Sequence, residues 1–223
     1  MSLLDQSLGQ IACEIAGATR VFHQHKLDFC CGGQKTLREA AARKKLDAEA
    51  IANELASLSP TATDTDWRQA SNSELIAYIL PNFHERHRQQ FPELIRMARR
   101  VEHVHGDNPH CPTGLADALE AMHQELESHM QKEEQVLFPI LRQHSALAVQ
   151  DPIMVMRYEH DQHGEALEGL ENLTHDFTPP QGACNTWRAL YLGLEQLRQD
   201  LMQHIHLENN ILFTERPETS VAA

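Results

Sequence analysis

Aromatic residues make up only 5% of this 223-residue chain, too few to form the stacking platforms that hold single-stranded nucleic acid. Basic residues are scarce too: 19 Lys and Arg stand against 32 Asp and Glu, a formal net charge of −13. A surface that acidic repels nucleic acid and anionic membranes alike. No stretch approaches the ~18 consecutive apolar residues of a membrane span. Met1–Asp5 has no basic segment leading into an apolar run, so no secretory signal is expected. The 5 cysteines are odd in number, which argues against a secreted disulfide framework. These absences predict a soluble cytoplasmic protein. Strand-period alternation is nearly missing as well, which leaves an all-α fold.

What the chain has in quantity is histidine, 15 residues, so metal binding or proton chemistry is the first idea to weigh. Hydrophobic residues, at 41%, suffice for a core. At roughly 150 residues per domain, the length suits either one large domain or a small one plus a medium one.

Residues 1–57 form a block of short helical stretches, among them Ile11–Ala18 and Thr36–Arg43. Leu58–Asp66, rich in Pro, Ser, Thr and Asp, opens a linker over 58–70. Residues 71–216 then carry four long helical patterns, and 217–223 form a tail. The first pattern opens on the capping box Ser71–Glu74, runs to about Val104, and contains Pro81 and Pro92, where a kink or interruption is expected. The others run from Thr113 to His144, from Asp151 to His175 and from Asn185 to Phe213. Short connections between such helices predict an up-down-up-down four-helix bundle.

Each bundle helix carries an apolar stripe at i, i+3, i+4, i+7 spacing, and each stripe is broken by histidine. The first reads Ile76, Leu80, His84, His87, Phe91, Leu94; the second Leu115, Leu119, Met122, Leu126, His129, Glu133, Val136, Ile140. The third reads Ile153, Met156, His160, His163, Leu167, Leu170; the fourth Leu190, Leu194, Leu197, Leu201, His204, Glu208, Ile211. An unpaired polar group in a core costs about 2–7 kcal/mol, and a lone carboxylate costs more. At ~1.5 Å per residue the interruptions lie roughly 8–22 Å from helix ends that an antiparallel bundle puts on one side. Imidazoles from four helices and two carboxylates therefore meet at one depth.

His129 and Glu133, like His204 and Glu208, stand one turn apart on one face. Imidazole with carboxylate suits iron, manganese or zinc, and the lack of thiolates argues against a structural zinc site. This is too many ligands for one tetrahedral ion. It fits two, with Glu133 and Glu208 spanning both and a solvent-derived bridge between them. The competing reading is a neutral hydrogen-bonded core network. Spacing alone does not choose His84 over His87, or His160 over His163. His123 and Glu127 repeat the spacing but lie about 240° round the helix from the others. The ferritin-type pairs Glu102/His105 and Glu120/His123 sit at the opposite end. His23, His25, His103, His110, His144, His175 and His206 are expected at the surface.

The N-terminal block holds Asp28-Phe-Cys-Cys-Gly-Gly33, followed by the capping box Thr36–Glu39. A thiol near a helix N-terminus has a lowered pKa and greater reactivity, and the glycines allow a partner to approach the backbone closely. Two small apolar residues in a turn would be the plain alternative. Cys13, Cys111 and Cys184 are isolated and expected to be structural.

On these motifs, together with His84-Glu-Arg-His87, His129-Met-Gln-Lys-Glu-Glu134, Glu159-His160-Asp161 and His204-Ile-His-Leu-Glu-Asn-Asn210, the chain resembles the iron–sulfur cluster repair di-iron proteins, the RIC family of YtfE and ScdA type. The resemblance covers nearly the whole length, and the bundle part resembles hemerythrin. It implies an ScdA-type N-terminal domain and two non-haem irons in an oxo- and carboxylate-bridged centre. The implied ligands are His84, His129, Glu133, His160, His204 and Glu208. It also implies Glu125 and Glu159 as polar linings of a path to the metals. Thr214 departs from the pattern, which expects Pro after Leu-Phe.

The implied role is restoring iron–sulfur clusters damaged by nitric oxide or oxidants. Iron–sulfur proteins would be the clients, nitric oxide or oxygen the small ligand, and Cys30 and Cys31 the groups that receive or pass on the cargo. Two other classes compete: a hemerythrin-like binder or sensor of oxygen or nitric oxide, and a redox enzyme such as a nitric oxide reductase or peroxidase. The cysteine pair favours repair or redox turnover over simple carriage. The residues leave transfer and turnover unseparated, and leave open the oligomeric state, a homodimer among the options.

Overall fold

The computed structural model describes residues 2–58, 65–144 and 146–215. Residues 59–64 of the expected linker and the whole tail therefore lie outside the described residues. Extended pairing among the described residues is limited to an isolated bridge between Ser7 and Thr36. The chain is all-α.

The N-terminal part consists of α1 (Leu8–Glu14), α2 (Ala18–Gln24), α3 (Leu37–Arg43) and α4 (Ala48–Ala56). Each start has a local cause. Ser7 and Asp47 cap α1 and α4 with side-chain oxygens. Thr36 and Glu39 close the expected capping box on α3. The helix expected over Ile11–Ala18 is instead two helices. α1 ends at Glu14, and Gly17 takes a left-handed φ of 82° that no L side chain adopts cheaply, after which α2 begins. Leu8, Ile11, Phe22, Leu27, Phe29, Leu37, Ile51 and Leu55 close the core of this part, each contributing roughly 1.5–3 kcal/mol by burial. The compact unit these residues belong to spans residues 1–75, 141–153 and 202–223; a second comprises 76–140 and 154–201.

The remaining elements form the expected four-helix bundle. α5 (Asn72–Ile79) opens on the Ser71–Glu74 capping box, with Glu74 N–H on Ser71 Oγ at 3.2 Å and Ser71 N–H on Glu74 Oε2 at 2.8 Å. It leads through a π-helical turn, Leu80–His84, into α6 (Glu85–His105). α7 (Leu115–Lys132) leads through a second π turn, Glu133–Leu137, into α8 (Phe138–Leu141). α9 covers Gln150–Leu173, one residue ahead of the expected start at Asp151, and α10 covers Asn185–Leu207. A third π turn, Glu208–Leu212, ends the bundle, and Thr214 closes it by donating to the Ile211 carbonyl at 2.7 Å. The interruption expected near a proline falls at Pro81, inside the first π turn; α6 runs on through Pro92.

Of the expected stripes, the first stays buried except at half-buried Leu80, the fourth stays buried throughout, and the second is broken by its π turn. α9 has no π turn, and all six of its expected core positions are buried. In the second pattern the stripe holds to Glu133 and then slips by one residue. Val136 is 54% exposed, while Leu137, Phe138 and Leu141 are buried. An i→i+5 turn inserts one residue into the 3.6 period, so every side chain beyond it turns to a new face.

Candidate metal centre

Three of the six expected ligands sit at the edge of a π turn: His84 ends the first, Glu133 begins the second and Glu208 begins the third. Such turns cluster at functional sites because the wider turn re-aims a side chain that a regular helix would point elsewhere. His84, Glu133, His160 and Glu208 have no exposed surface, and His129 and His204 have 1%. The ligand atoms of His84, Glu133, His204 and Glu208 lie within 4.8 Å of one another, as do those of His129, Glu133, His160 and Glu208. The two groups share both carboxylates. His87 and His163 are equally buried but belong to neither group.

Glu133 is placed to span two positions. Its Oε2 faces His84 Nε2 at 3.5 Å, and its Oε1 faces His129 Nε2 at 3.4 Å. His160 Nε2 stands 3.0 Å from His129 Nε2. Two nitrogens each ~2.1 Å from one ion and at right angles to each other would be about 3.0 Å apart. His204 Nε2 lies 3.1 Å from Glu208 Oε1. A donor set of nitrogens and carboxylate oxygens without sulfur, wholly buried, fits hard-to-borderline divalent cations such as iron.

An outer ring aims the imidazoles. His84 Nδ1 contacts Glu134 Oε1 at 2.8 Å, and His129 Nδ1 contacts Glu159 Oε2 at 2.8 Å. With Nδ1–H donated outward, each Nε2 keeps its lone pair toward the centre. Each outer carboxylate is itself held by a cation. Arg88 Nη2 reaches Glu134 at 3.0 Å and also grips Glu127 and Glu85, while Lys132 Nζ bonds Glu159 Oε1. The hydrogen bond from His129, aided by Lys132, holds the Glu159 carboxyl down at about 2. Of the two expected path-lining residues, Glu159 thus bonds a candidate ligand directly, and Glu125 is solvent-exposed on α7. Glu134, Arg88 and Lys132 were not anticipated, because nothing in their spacing separates them from a solvated face.

The cysteine loop has its own architecture. Asp28 accepts N–H bonds from Cys30 at 3.2 Å, Cys31 at 3.0 Å and Gly32 at 2.7 Å. Asn209 and Asn210, which follow Glu208 in the third π turn, donate to the carbonyls of Cys30 at 3.2 Å and Phe29 at 3.1 Å. The partner that the glycines admit is therefore the chain itself: a Cβ at Gly32 would meet Asp28 Oδ2 at 2.6 Å, and one at Gly33 the Phe29 carbonyl at 2.6 Å. The Cys30 thiol is not lowered as its place before a helix suggested. Its bond with Cys31 and its burial push it well above the ordinary thiol range.

Among the other histidines, three expectations change. His23 is half-buried, edge-on against Phe29 at 5.1 Å. His206 is 2% exposed rather than at the surface, stacked edge-on against Phe29 and bonded at Nδ1 by the Asn210 amide at 2.9 Å. His25 is half-buried and pairs with Glu54 at 2.8 Å. His105 stands 3.2 Å from Cys184 Sγ, remote from the six in sequence, and His123 stacks on Phe91 at 5.1 Å.

Residues 75–215 match the hemerythrin HHE cation binding domain, and residues 4–59 match the ScdA N-terminal domain of unknown function. The iron-sulfur cluster repair protein YtfE of Pectobacterium carotovorum is 50% identical over 214 residues, which cover 96% of this chain and 97% of that protein. The protein of the same name from Citrobacter koseri is 50% identical over 213 residues, with the same coverage. That from Yersinia pseudotuberculosis is 50% identical over 214 residues, again at 96% and 97%. The chain belongs to the hemerythrin HHE cation-binding family and, within it, to the group of iron-sulfur cluster repair proteins that carry an ScdA-type domain ahead of the bundle.

Proposed function

We propose that this protein restores iron–sulfur clusters in client proteins after oxidative or nitrosative damage, with a non-haem di-iron centre in its bundle. The observation that carries the reading is Glu133, a carboxylate with no exposed surface whose two oxygens face imidazoles from different helices. His84, His129, Glu133, His160, His204 and Glu208 would hold the two irons, with carboxylate and oxo bridges between them. Six side chains leave coordination positions open on two ions, so the centre would supply a place for a small ligand such as nitric oxide or oxygen. Iron is equally the cargo of repair. Cys30 and Cys31, on the Asn209- and Asn210-braced loop, would receive it or pass it on.

The chain's own residues do the positioning. Glu134 and Glu159 fix the imidazole tautomers, and Arg88 and Lys132 fix those carboxylates in turn. The domain organisation that goes with this reading is a thiol-bearing unit over 1–57, a linker over 58–70, the metal-holding bundle over 71–216 and a tail over 217–223. No helix among the described residues is long and apolar enough to cross a membrane; the compartment that goes with the reading is the cytoplasm. The test is metal analysis and optical spectroscopy of anaerobically purified protein, followed by nitric oxide. Two irons per chain, a charge-transfer band and a spectral response to nitric oxide are expected. Fewer than two irons in fully loaded protein would overturn the centre.

A further inference from the structure

A second donor set lies in the N-terminal unit, apart from the histidine–glutamate centre. Asp28, Cys30 and Cys31 each offer a ligand atom, and the three atoms lie within 4.8 Å of one another. The two sulfurs are 3.7 Å apart, and Cys30 Sγ is 3.4 Å from Asp28 Oδ1. Two thiolates ~2.3 Å from a tetrahedral ion stand about 3.8 Å apart, and a thiolate and a carboxylate oxygen at ~2.0 Å stand about 3.5 Å apart. Both spacings are already present in the loop. The sulfur–sulfur spacing is far from the ~2.05 Å of a disulfide bond, and none of the five cysteines is in a disulfide.

The loop is built to keep them there. Three backbone N–H groups orient the Asp28 carboxylate, as ligating carboxylates require. Gly32 is needed because any Cβ would displace that carboxylate, and Asn209 and Asn210 hold the backbone from behind. Cys30 is buried, Cys31 is half-buried and Asp28 is exposed, so the set opens outward on one side. Cys30 Sγ stands within hydrogen-bond reach of both Asp28 Oδ1 and Cys31 Sγ, and an ion would replace the thiol proton among these three atoms.

We propose that Asp28, Cys30 and Cys31 form a mononuclear site for one thiophilic divalent cation, iron(II) or zinc(II), with the fourth tetrahedral position facing out. Binding is an exchange without electron transfer. Two S–H bonds break, two sulfur–metal bonds form, and two protons go to solvent. Three protein ligands with an open fourth position describe an exchangeable site rather than a closed structural one. The proposal needs no ion in the bundle.

Cobalt(II) titrated into the reduced, metal-free full chain tests it. The bundle centre has no sulfur, so a sulfur-to-cobalt charge-transfer band in the near ultraviolet reports on thiolates alone. At saturation the band should have the intensity of one thiolate-ligated cobalt per chain, whatever the bundle centre takes up besides, and it should vanish in Cys31→Ser with helical ellipticity unchanged. Asp28→Asn should weaken the binding at least tenfold. Absence of the band in the parent chain overturns the proposal, as does its survival in Cys31→Ser or an undiminished affinity in Asp28→Asn. Loss of iron from the bundle centre alone would leave the band in place, so the two readings fail separately.

Discussion

His84 hands its Nδ1 to Glu134 across 2.8 Å, and through that contact a half-exposed surface carboxylate sets the direction of a fully buried ring. Removing the acid should free the imidazole to rotate and lose its tautomer. Glu134→Ala is expected to lower iron affinity about 10–100-fold without unfolding the bundle. Glu159→Ala should do the same through His129. Competition against a chelator measures both, and parent-like affinity in the two variants would show the outer ring to be dispensable.

Glu133 and Glu208 are costly in the metal-free protein, because each is a carboxylate with no exposed surface. Leucine at either position removes that cost while deleting a candidate bridge. Glu133→Leu and Glu208→Leu should each abolish binding of one or both irons. At the same time they should stabilise the metal-free chain by about 1–4 kcal/mol, the range seen when buried ionic groups give way to apolar ones. Iron content and metal-free thermal unfolding give the two readouts. Two irons per chain in either variant would remove that residue from the ligand set.

How far the sequence could be read depended on the period of the helix. The α9 stripe was fully legible because nothing in it departs from 3.6 residues per turn. His129/Glu133 and His204/Glu208 were legible for the same reason, since each pair lies before or at the start of a π turn. Val136 and Ile140 were misplaced because an extra residue per turn leaves no signature in composition. The outer ring was hidden for a different reason. Glu134, Lys132 and Arg88 look like ordinary surface charges, and only tertiary placement shows which imidazole each one serves. His206 was hidden likewise, since its burial depends on Phe29 and Asn210, neither of which its local pattern announces.

Gly33 sits where the cysteine loop turns against its own backbone. A methyl group there would stand 2.6 Å from the Phe29 carbonyl oxygen and 3.3 Å from Asn210 Oδ1. Backbone cannot yield as a side-chain tip can. Gly33→Ala should therefore destabilise the N-terminal unit by about 1–3 kcal/mol, visible in urea unfolding followed by hydrogen exchange at Phe29 and Cys30. An unchanged exchange rate would mean that the loop relaxes freely.

Cys13 is half-buried and donates to the Asn210 carbonyl at 3.6 Å. Burial raises its thiol from the ordinary 9.0 to about 11. The thiolate is the reactive form, and a pKa two units higher leaves roughly a hundredfold less of it at pH 8. Alkylation of Cys13 in the folded chain should therefore be about a hundredfold slower than in the unfolded chain, and should climb tenfold per pH unit up to about pH 11. Mass-spectrometric labelling rates at Cys13 across pH 7–10 measure this. A rate that levels off near pH 9 would show a thiol with an ordinary pKa, and would mean that the contact with the third π turn does not shield it.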